Sequence, residues 1–270
     1  MLVSGRAGAA DPARDPAPLR HDLRVDLPIT AALASSVIAL TLLRRELGAT
    51  SCGWCDGDRP SDLNAVDDWF RTALRRPDGR PARVLSDVLG SGVAPLSAAA
   101  LTIAASVADR RSSNVLVDLV VIAQATLATL TVTELVKPVF GRPRPYLHAT
   151  TDPAERAEIL AEDSDALRSF PSGHTATTFA LAAASGAVAT MRGYRIAPVI
   201  WAAGMTLATA TAYARVAGDR HYFTDTIGGS ALGVLLGAGI PLLFHAPTRR
   251  PVLTTHGVPG GRVVGVAWTF

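Results

Sequence analysis

The segment RVAGDRHYFTD, residues 215–225, holds residue types that can attack an electrophile. His221 and Asp225 are four positions apart, so on a helical turn they share a face. A carboxylate in that position can hold one imidazole N–H while the other ring nitrogen points away, as a histidine nucleophile requires. Arg215 can bring its planar guanidinium to a phosphate bound nearby. The same residues also fit an Asp–His pair that only ties two helices together.

The segment PSGH, residues 171–174, stands at the start of a long Ala-rich run. Helix starts present unpaired N–H groups and a partial positive charge, which together favour phosphate oxygens. Ser172 and Gly173 offer such amides, and glycine lets an anion approach the backbone closely. His174 then stands beside a bound phosphate. The alternative is a histidine that is satisfied by hydrogen bonds at a helix end.

The segment KPVFGRPRP, residues 137–145, combines cations with three prolines. Proline lacks an N–H and restricts the preceding residue, so we expect a bent, stiff loop carrying Lys137, Arg142 and Arg144. A cationic anchor at the lipid interface is the alternative, but such an anchor has no need of three prolines. A fixed anion-binding loop explains the segment better, although Arg142 has no assigned role within it.

Long uncharged runs predict the elements that position these segments. Each run has about 15 to 21 residues, near the length a helix needs to cross hydrocarbon. We therefore predict an all-α fold with six transmembrane helices; six buried helices of a soluble protein are the alternative. The runs are Leu27–Leu43, Val88–Ala108, Leu119–Thr133, Thr175–Met191, Ile196–Ala214 and Thr226–His245. The third run is the shortest and spans only if Asp118 or Glu134 lies at an interface or faces the bundle.

Lys and Arg accumulate in short cytoplasmic loops, which gives an orientation. With both termini inside, the turns at 110–111 and 192–195 and the tail at 249–250 are basic inner segments. The three motifs then meet on the outer face. That face also carries arginines between Arg71 and Arg83, and their presence there needs a separate explanation.

Together the three segments resemble the signature of the type 2 phosphatidic acid phosphatase superfamily, whose soluble relatives are the vanadium haloperoxidases. The pattern is Lys, six residues, Arg-Pro; then Pro-Ser-Gly-His; then Ser-Arg, five residues, His, three residues, Asp. The chain departs from it at Ala214, where the family commonly has Ser. The resemblance covers residues 27–245.

The resemblance implies metal-independent hydrolysis of phosphate esters, with no cofactor. By position, His221 is the nucleophile that forms a phosphohistidine, Asp225 orients it, and His174 serves as acid and then base. Phosphate oxygens are then held by Lys137, Arg144, Arg215 and the amides near Ser172 and Gly173. The expected substrate is a lipid phosphate or prenyl diphosphate, in a multi-pass inner-membrane protein whose active site faces the extracytoplasmic side. A vanadium haloperoxidase-like enzyme and a non-catalytic lipid-binding or transport protein are the alternatives.

The remaining sequence sets the domain limits. We expect a disordered leader over residues 1–25, a membrane phosphatase domain over 26–245, and a tail over 246–270 with strand-like composition at its end. The net charge of +3 fits basic inner loops and a phosphate pocket, whereas no recognition motif indicates nucleic acid. Cys52 and Cys55 favour a local disulfide, with free thiols as the alternative, and we assign them no catalytic role. The sequence leaves the oligomeric state and the headgroup undetermined.

Overall fold

The computed structural model describes residues 18–49, 51–56, 62–247, 251–258 and 261–268. Its helices are α1 (Leu23–Leu42), α2 (Ala65–Leu74), α3 (Arg80–Val88), α4 (Ala94–Ala108), α5 (Val115–Phe140), α6 (Pro145–Ala149), α7 (Pro153–Glu162), α8 (Gly173–Met191), α9 (Ala197–Ala217) and α10 (Phe223–Ile240). One π-helical turn, Leu89–Val93, joins α3 to α4, and another, Pro241–His245, extends α10.

The six apolar runs all lie in separate long helical segments, so the six-helix prediction is confirmed. Within the described residues, four segments are long and apolar enough to cross a membrane: Leu23–Leu42, Arg80–Ala108, Ser112–Ala149 and Phe223–His245. The other two, α8 and α9, are rich in Ala, and most of α8 is buried. Their lower apolarity follows from packing against protein as well as lipid.

Helix α8 is the centre of the bundle and packs against α10, α9, α5 and α4. Small residues allow this close packing: a Cβ at Gly233 or Gly237 of α10 would lie 2.5 or 2.6 Å from a carbonyl oxygen of α8. Helix α1 packs on α5, and α3 packs on α9. The last turns of α5 and α9, the first turn of α8 and helix α3 thereby meet at one end of the bundle.

The structure describes part of each terminal region that the sequence predicts. Residues 1–17 of the expected leader lie outside the described residues. The described part is ordered by contacts with the bundle: Leu19 is buried in the core, and Arg20 donates to the carbonyls of Leu243 and Ala246. At the other end, β1 (Pro251–Val258) and β2 (Gly261–Trp268) form an antiparallel hairpin, so the all-α description applies to the helical domain alone.

The charged residues that border the third apolar run face protein. Asp118 is fully buried and accepts hydrogen bonds from Arg192 at 2.8 Å and Tyr194 at 2.6 Å. Glu134, near the other end of α5, pairs with Lys137 and with Arg168. Both carboxylates therefore have partners inside the bundle, which lets α5 pass through it despite their charge.

Candidate functional site

A cavity of about 720 Å³ opens where the three motif segments meet. Of the residues predicted from the sequence to form the site, six line it: Lys137, Arg144, Gly173, His174, Arg215 and His221. Four arginines that the motifs do not include share the same cavity: Arg44, Arg80, Arg83 and Arg220. The carboxylates of the lining are Asp87, Glu134 and Asp165. Seven cations against three carboxylates give this cavity a positive field that suits an anion.

His221 has a defined tautomer. Its Nδ1 lies 2.8 Å from the carbonyl oxygen of Ser169, and because a carbonyl can only accept, Nδ1 carries the proton. The lone pair is therefore on Nε2, which lies 3.4 Å from the Arg144 guanidinium. Burial, together with Arg144 and the other cations nearby, holds the pKa of His221 well below 6.5. The imidazole is neutral at pH 7, as a nucleophile requires.

Asp225 reaches His221 less directly than the sequence predicts. His221 precedes α10 and Asp225 is in its first turn, so the two do not share a helical turn. The Asp225 carboxylate lies 3.6 Å from Nδ1, beyond hydrogen-bond distance. It accepts instead from the Ser169 hydroxyl at 2.5 Å and the Tyr222 amide at 2.9 Å. Asp225 thus fixes Ser169, whose carbonyl in turn fixes the imidazole.

Arg142, which the sequence left unassigned, anchors that carboxylate. Its side chain is fully buried and lies 4.3 Å from the ring centroids of both Trp54 and Tyr222. Its Nη1 donates to Asp225 at 2.7 Å, and its Nη2 donates to Asp56 and Asp67. Arg142 is therefore a structural cation behind the site and does not line the cavity.

His174 lies in the first turn of α8 and faces a carboxylate that the motifs do not include. Its Nε2 lies 3.1 Å from Oδ1 of Asp87, on α3. The same oxygen lies 3.1 Å from Nη1 of Arg215, so Asp87 joins two of the predicted site residues. The backbone of Gly90 approaches the His174 ring so closely that a Cβ there would lie 2.8 Å from Cδ2. Helix α3 and its π turn thus set the position of His174.

The cationic loop begins later than the prolines suggest. Helix α5 continues through Pro138, because one proline near a helix end removes a single hydrogen bond. Gly141, with a left-handed φ of 52°, ends the helix. Lys137 consequently lies in the last helical turn, where it pairs with Glu134 and sits over Gly173. The first and second motifs meet at this point.

Ser172 differs from the prediction that its amide faces a phosphate. Its N–H donates to the carbonyl of Asp225 at 3.0 Å, and its hydroxyl pairs with that of Thr175. The side chain is fully buried outside the cavity lining. Gly173 does line the cavity. The part of α8 that faces the cavity therefore begins at Gly173, one residue later than the sequence predicts.

The CGWC segment is a structural element at the same end of the bundle. Cys52 and Cys55 form the disulfide favoured by the sequence. The amides of Gly53 and Trp54 both donate to the carbonyl of Phe140, which caps the end of α5. Trp54 also stacks on Arg142, so the segment supports the first motif from behind.

Comparison with known proteins agrees with this constellation. Residues 118–249, which contain all three motifs, match the family model of the PAP2 superfamily. This part of the chain, just under half of its length, therefore matches the PAP2 superfamily. A lipid A 1-phosphatase from Porphyromonas gingivalis is 38% identical over 93 residues, which is 33% of this chain and 20% of that protein. The match thus spans about a fifth of the relative's length.

A solved structure also resembles this chain. It is the crystal structure of a transmembrane PAP2-type phosphatidylglycerolphosphate phosphatase from Bacillus subtilis. The match has a TM-score of 0.45 and 20% sequence identity, and it covers 76% of this chain and 94% of that chain. With its apolar helical segments, this chain is a multi-pass membrane protein.

Sequence reasoning missed Asp87, Ser169 and the four additional arginines. One signal was present: Arg80, Arg83 and Asp87 recur at positions i, i+3 and i+7, which places them on one face of a helix. The hydrogen bond between Ser169 and His221 could not be predicted in this way. Its acceptor is a backbone carbonyl, which every residue type has.

Proposed function

We propose that this protein is a membrane-embedded, metal-independent phosphatase that hydrolyses a lipid phosphate or prenyl diphosphate through a phosphohistidine. The observation that carries the proposal is the orientation of His221. Its Nδ1–H is committed to the Ser169 carbonyl, which leaves the Nε2 lone pair beside a cavity lined by cations. A neutral imidazole with one aimed nitrogen is what attack on phosphorus needs.

In the first step the Nε2 lone pair of His221 forms a bond to phosphorus, and the bond from phosphorus to the leaving oxygen breaks. Protonated His174 gives its proton to that oxygen. Asp87, whose Oδ1 lies 3.1 Å from Nε2 of His174, positions the imidazole for this transfer. In the second step His174 takes a proton from water, whose oxygen attacks phosphorus and releases His221 and inorganic phosphate.

Charge stabilisation comes from side chains that are already fixed. Arg144 is held by the backbone oxygens of Asp165 and Arg220, and Arg215 is held by Ser86 and Asp87. Phosphoryl transfer depends mainly on positioning and neutralisation, and cations fixed before the substrate arrives supply both. Lys137 and the Gly173 amide complete the set of donors.

The cavity also supports a lipid substrate. Its lining includes Pro95 at the start of α4, Leu130 in the middle of α5 and Thr177 one turn into α8. A hydrocarbon chain can extend along these helices while the phosphate remains at headgroup depth. The basic turns at the other end support an extracytoplasmic active site in an inner membrane.

The test is phosphate release by the purified protein from phosphatidate and prenyl diphosphates, with EDTA present throughout. We expect release from at least one substrate, and an acid-labile phosphoenzyme after brief exposure to radiolabelled substrate. His221→Ala should abolish both signals. His174→Ala should reduce turnover of lipid phosphates by about 10²- to 10⁴-fold, and affect an activated aryl phosphate less. Label on another residue, or activity that EDTA removes, would contradict the mechanism.

A further inference from the structure

The predicted orientation rests on basic segments at the inner side of the membrane. The arginines between Arg71 and Arg83 are an exception, because they lie in a predicted outer segment. Arg71 and Arg75 have a structural explanation, since both pair with Asp219 beyond the end of α9. Arg80 and Arg83 do not: both lie on α3 and line the candidate cavity. Arg220, from the loop before α10, lines it as well.

Helix geometry puts these arginines in order along the cavity. Asp87 contacts His174 and marks the level of the reacting groups. Arg83 and Arg80 lie one and two turns before it on α3, so their Cα atoms are about 6 Å and about 10 Å farther along the axis. A basic stripe thus extends outward from the predicted reaction centre.

Two of the three arginines are held in place by neighbours that leave their charge uncompensated. The stem of Arg83 packs on Gly218, where a Cβ would lie 2.9 Å from Cγ, and its Nη1 lies 3.4 Å from the Gly218 carbonyl. The guanidinium of Arg220 lies 5.3 Å from the centroid of the Tyr146 ring. These contacts position the stems and leave donors available to a ligand.

The carboxylates of the cavity are already paired with other cations. Asp87 contacts Arg215, Glu134 contacts Lys137 and Arg168, and Asp165 contacts Arg144. Among the residues that the structure describes, Arg80, Arg83 and Arg220 have no carboxylate within ion-pair distance. The lining holds four more cations than carboxylates. A phosphate monoester dianion carries two negative charges, so it neutralises only part of this excess.

We propose that Arg80, Arg83 and Arg220 form a second anion subsite, which binds a second phosphate carried by the leaving group. This inference rests on the proposed function and narrows its substrate class to lipids with two phosphates. A prenyl diphosphate and a phospholipid with a terminal phosphate beyond a phosphodiester present the same chemistry here. In each, the outer phosphate is cleaved and the second anion engages the arginines.

The experiment compares kcat/KM on two matched substrate pairs in detergent micelles. One pair is farnesyl diphosphate and farnesyl phosphate, and the other is phosphatidylglycerol phosphate and phosphatidate. In the double variant R80Q/R83Q, the preference for the bisphosphorylated member should fall by about 10- to 100-fold, the value of one or two charge-assisted hydrogen bonds. Arg76→Gln is the matched control, because Arg76 is an exposed arginine nearby that contacts Tyr213 and does not line the cavity.

The outcomes separate the two proposals. A loss of preference within one pair alone identifies which kind of substrate uses the subsite. Equal losses on both members of both pairs would mean that the arginines only attract anions over a distance, and the inference would be wrong. Calorimetric binding of inorganic pyrophosphate and inorganic phosphate tests the subsite without turnover. If the wild type releases no phosphate yet R80Q/R83Q weakens pyrophosphate more than phosphate, the proposed function fails and the subsite stands.

Discussion

Arg142 offers the most demanding test of how the site is supported. Its two terminal nitrogens serve four acceptors: Thr224 and Asp225 on one side, Asp56 and Asp67 on the other. Replacing Arg142 with Met removes the cation and leaves Asp67 and Asp225 with no exposed surface and no counter-charge. The Trp54 and Tyr222 rings remain to cover the space.

Because R142M breaks a buried ion pair, it should lower the free energy of unfolding by about 3–5 kcal/mol. For a chain of this size each kcal/mol shifts the unfolding midpoint by about 2–4 °C, so R142M should unfold about 6–20 °C below wild type. R142K keeps the charge but offers one nitrogen where Arg offers two. Its unfolding midpoint should therefore lie between those of R142M and the wild type. Thermal unfolding in detergent, followed by tryptophan emission, measures all three.

Arg195 supplies the matched control. It also forms a close ion pair, with Asp109 at 2.5 Å, but its side chain is 76% exposed. Exposed pairs contribute about 0–1 kcal/mol, so R195M should unfold within about 4 °C of wild type. Equal shifts for R142M and R195M would refute the argument. After correction for folded fraction, R142K should also show a lower kcat, because Asp225 loses its anchor.

Three further perturbations address the front of the site. Asp87→Asn should lower kcat on lipid phosphates and tighten inhibition by inorganic phosphate, because it removes the negative charge beside His174; unchanged kinetics would exclude Asp87 from the site. Gly90→Ala should reduce activity by about 10- to 100-fold, because the added methyl group displaces His174. Gly92→Ala should leave activity unchanged, since its Cβ would meet nothing within 4 Å. The activities of the two variants are compared once equal unfolding midpoints show that both are equally stable. Because the pKa of His221 lies well below 6.5, phosphoenzyme formation in rapid quench should persist as pH falls through 6.5 and decline only below it; a decline centred at 6.5 would contradict the lowered pKa.

The features that the sequence predicted well depend on local properties of the chain. Uncharged runs of membrane length identify the six long helices, because length and polarity alone decide whether a segment can be buried. The meeting of the motifs at one end follows from the direction of the helices, which alternates along the chain.

The features that were missed depend on tertiary contacts. Arg192 counts as an inner cation in the sequence, yet it is buried against Asp118, and no local pattern announces that pairing. The hydrogen bond of His221 goes to a carbonyl 52 residues away, so the obvious partner, Asp225, was expected to make it. The prediction that Pro138 ends the helix was also wrong, because proline's local preference takes no account of the packing that holds α5 together.

The distribution of charge in the site follows from one physical requirement. A cavity that binds a phosphate needs several cations close together, but in the empty state those cations repel one another and lose hydration. Carboxylates reduce this repulsion where each lies beside one or two cations, as Asp87 does with Arg215 and Glu134 does with Lys137. Such pairing also fixes the direction of the donors before the substrate arrives, so little reorganisation remains for the reaction itself. The arginines without carboxylates lie farther out, where water screens them, and a second anion of the substrate would displace that water.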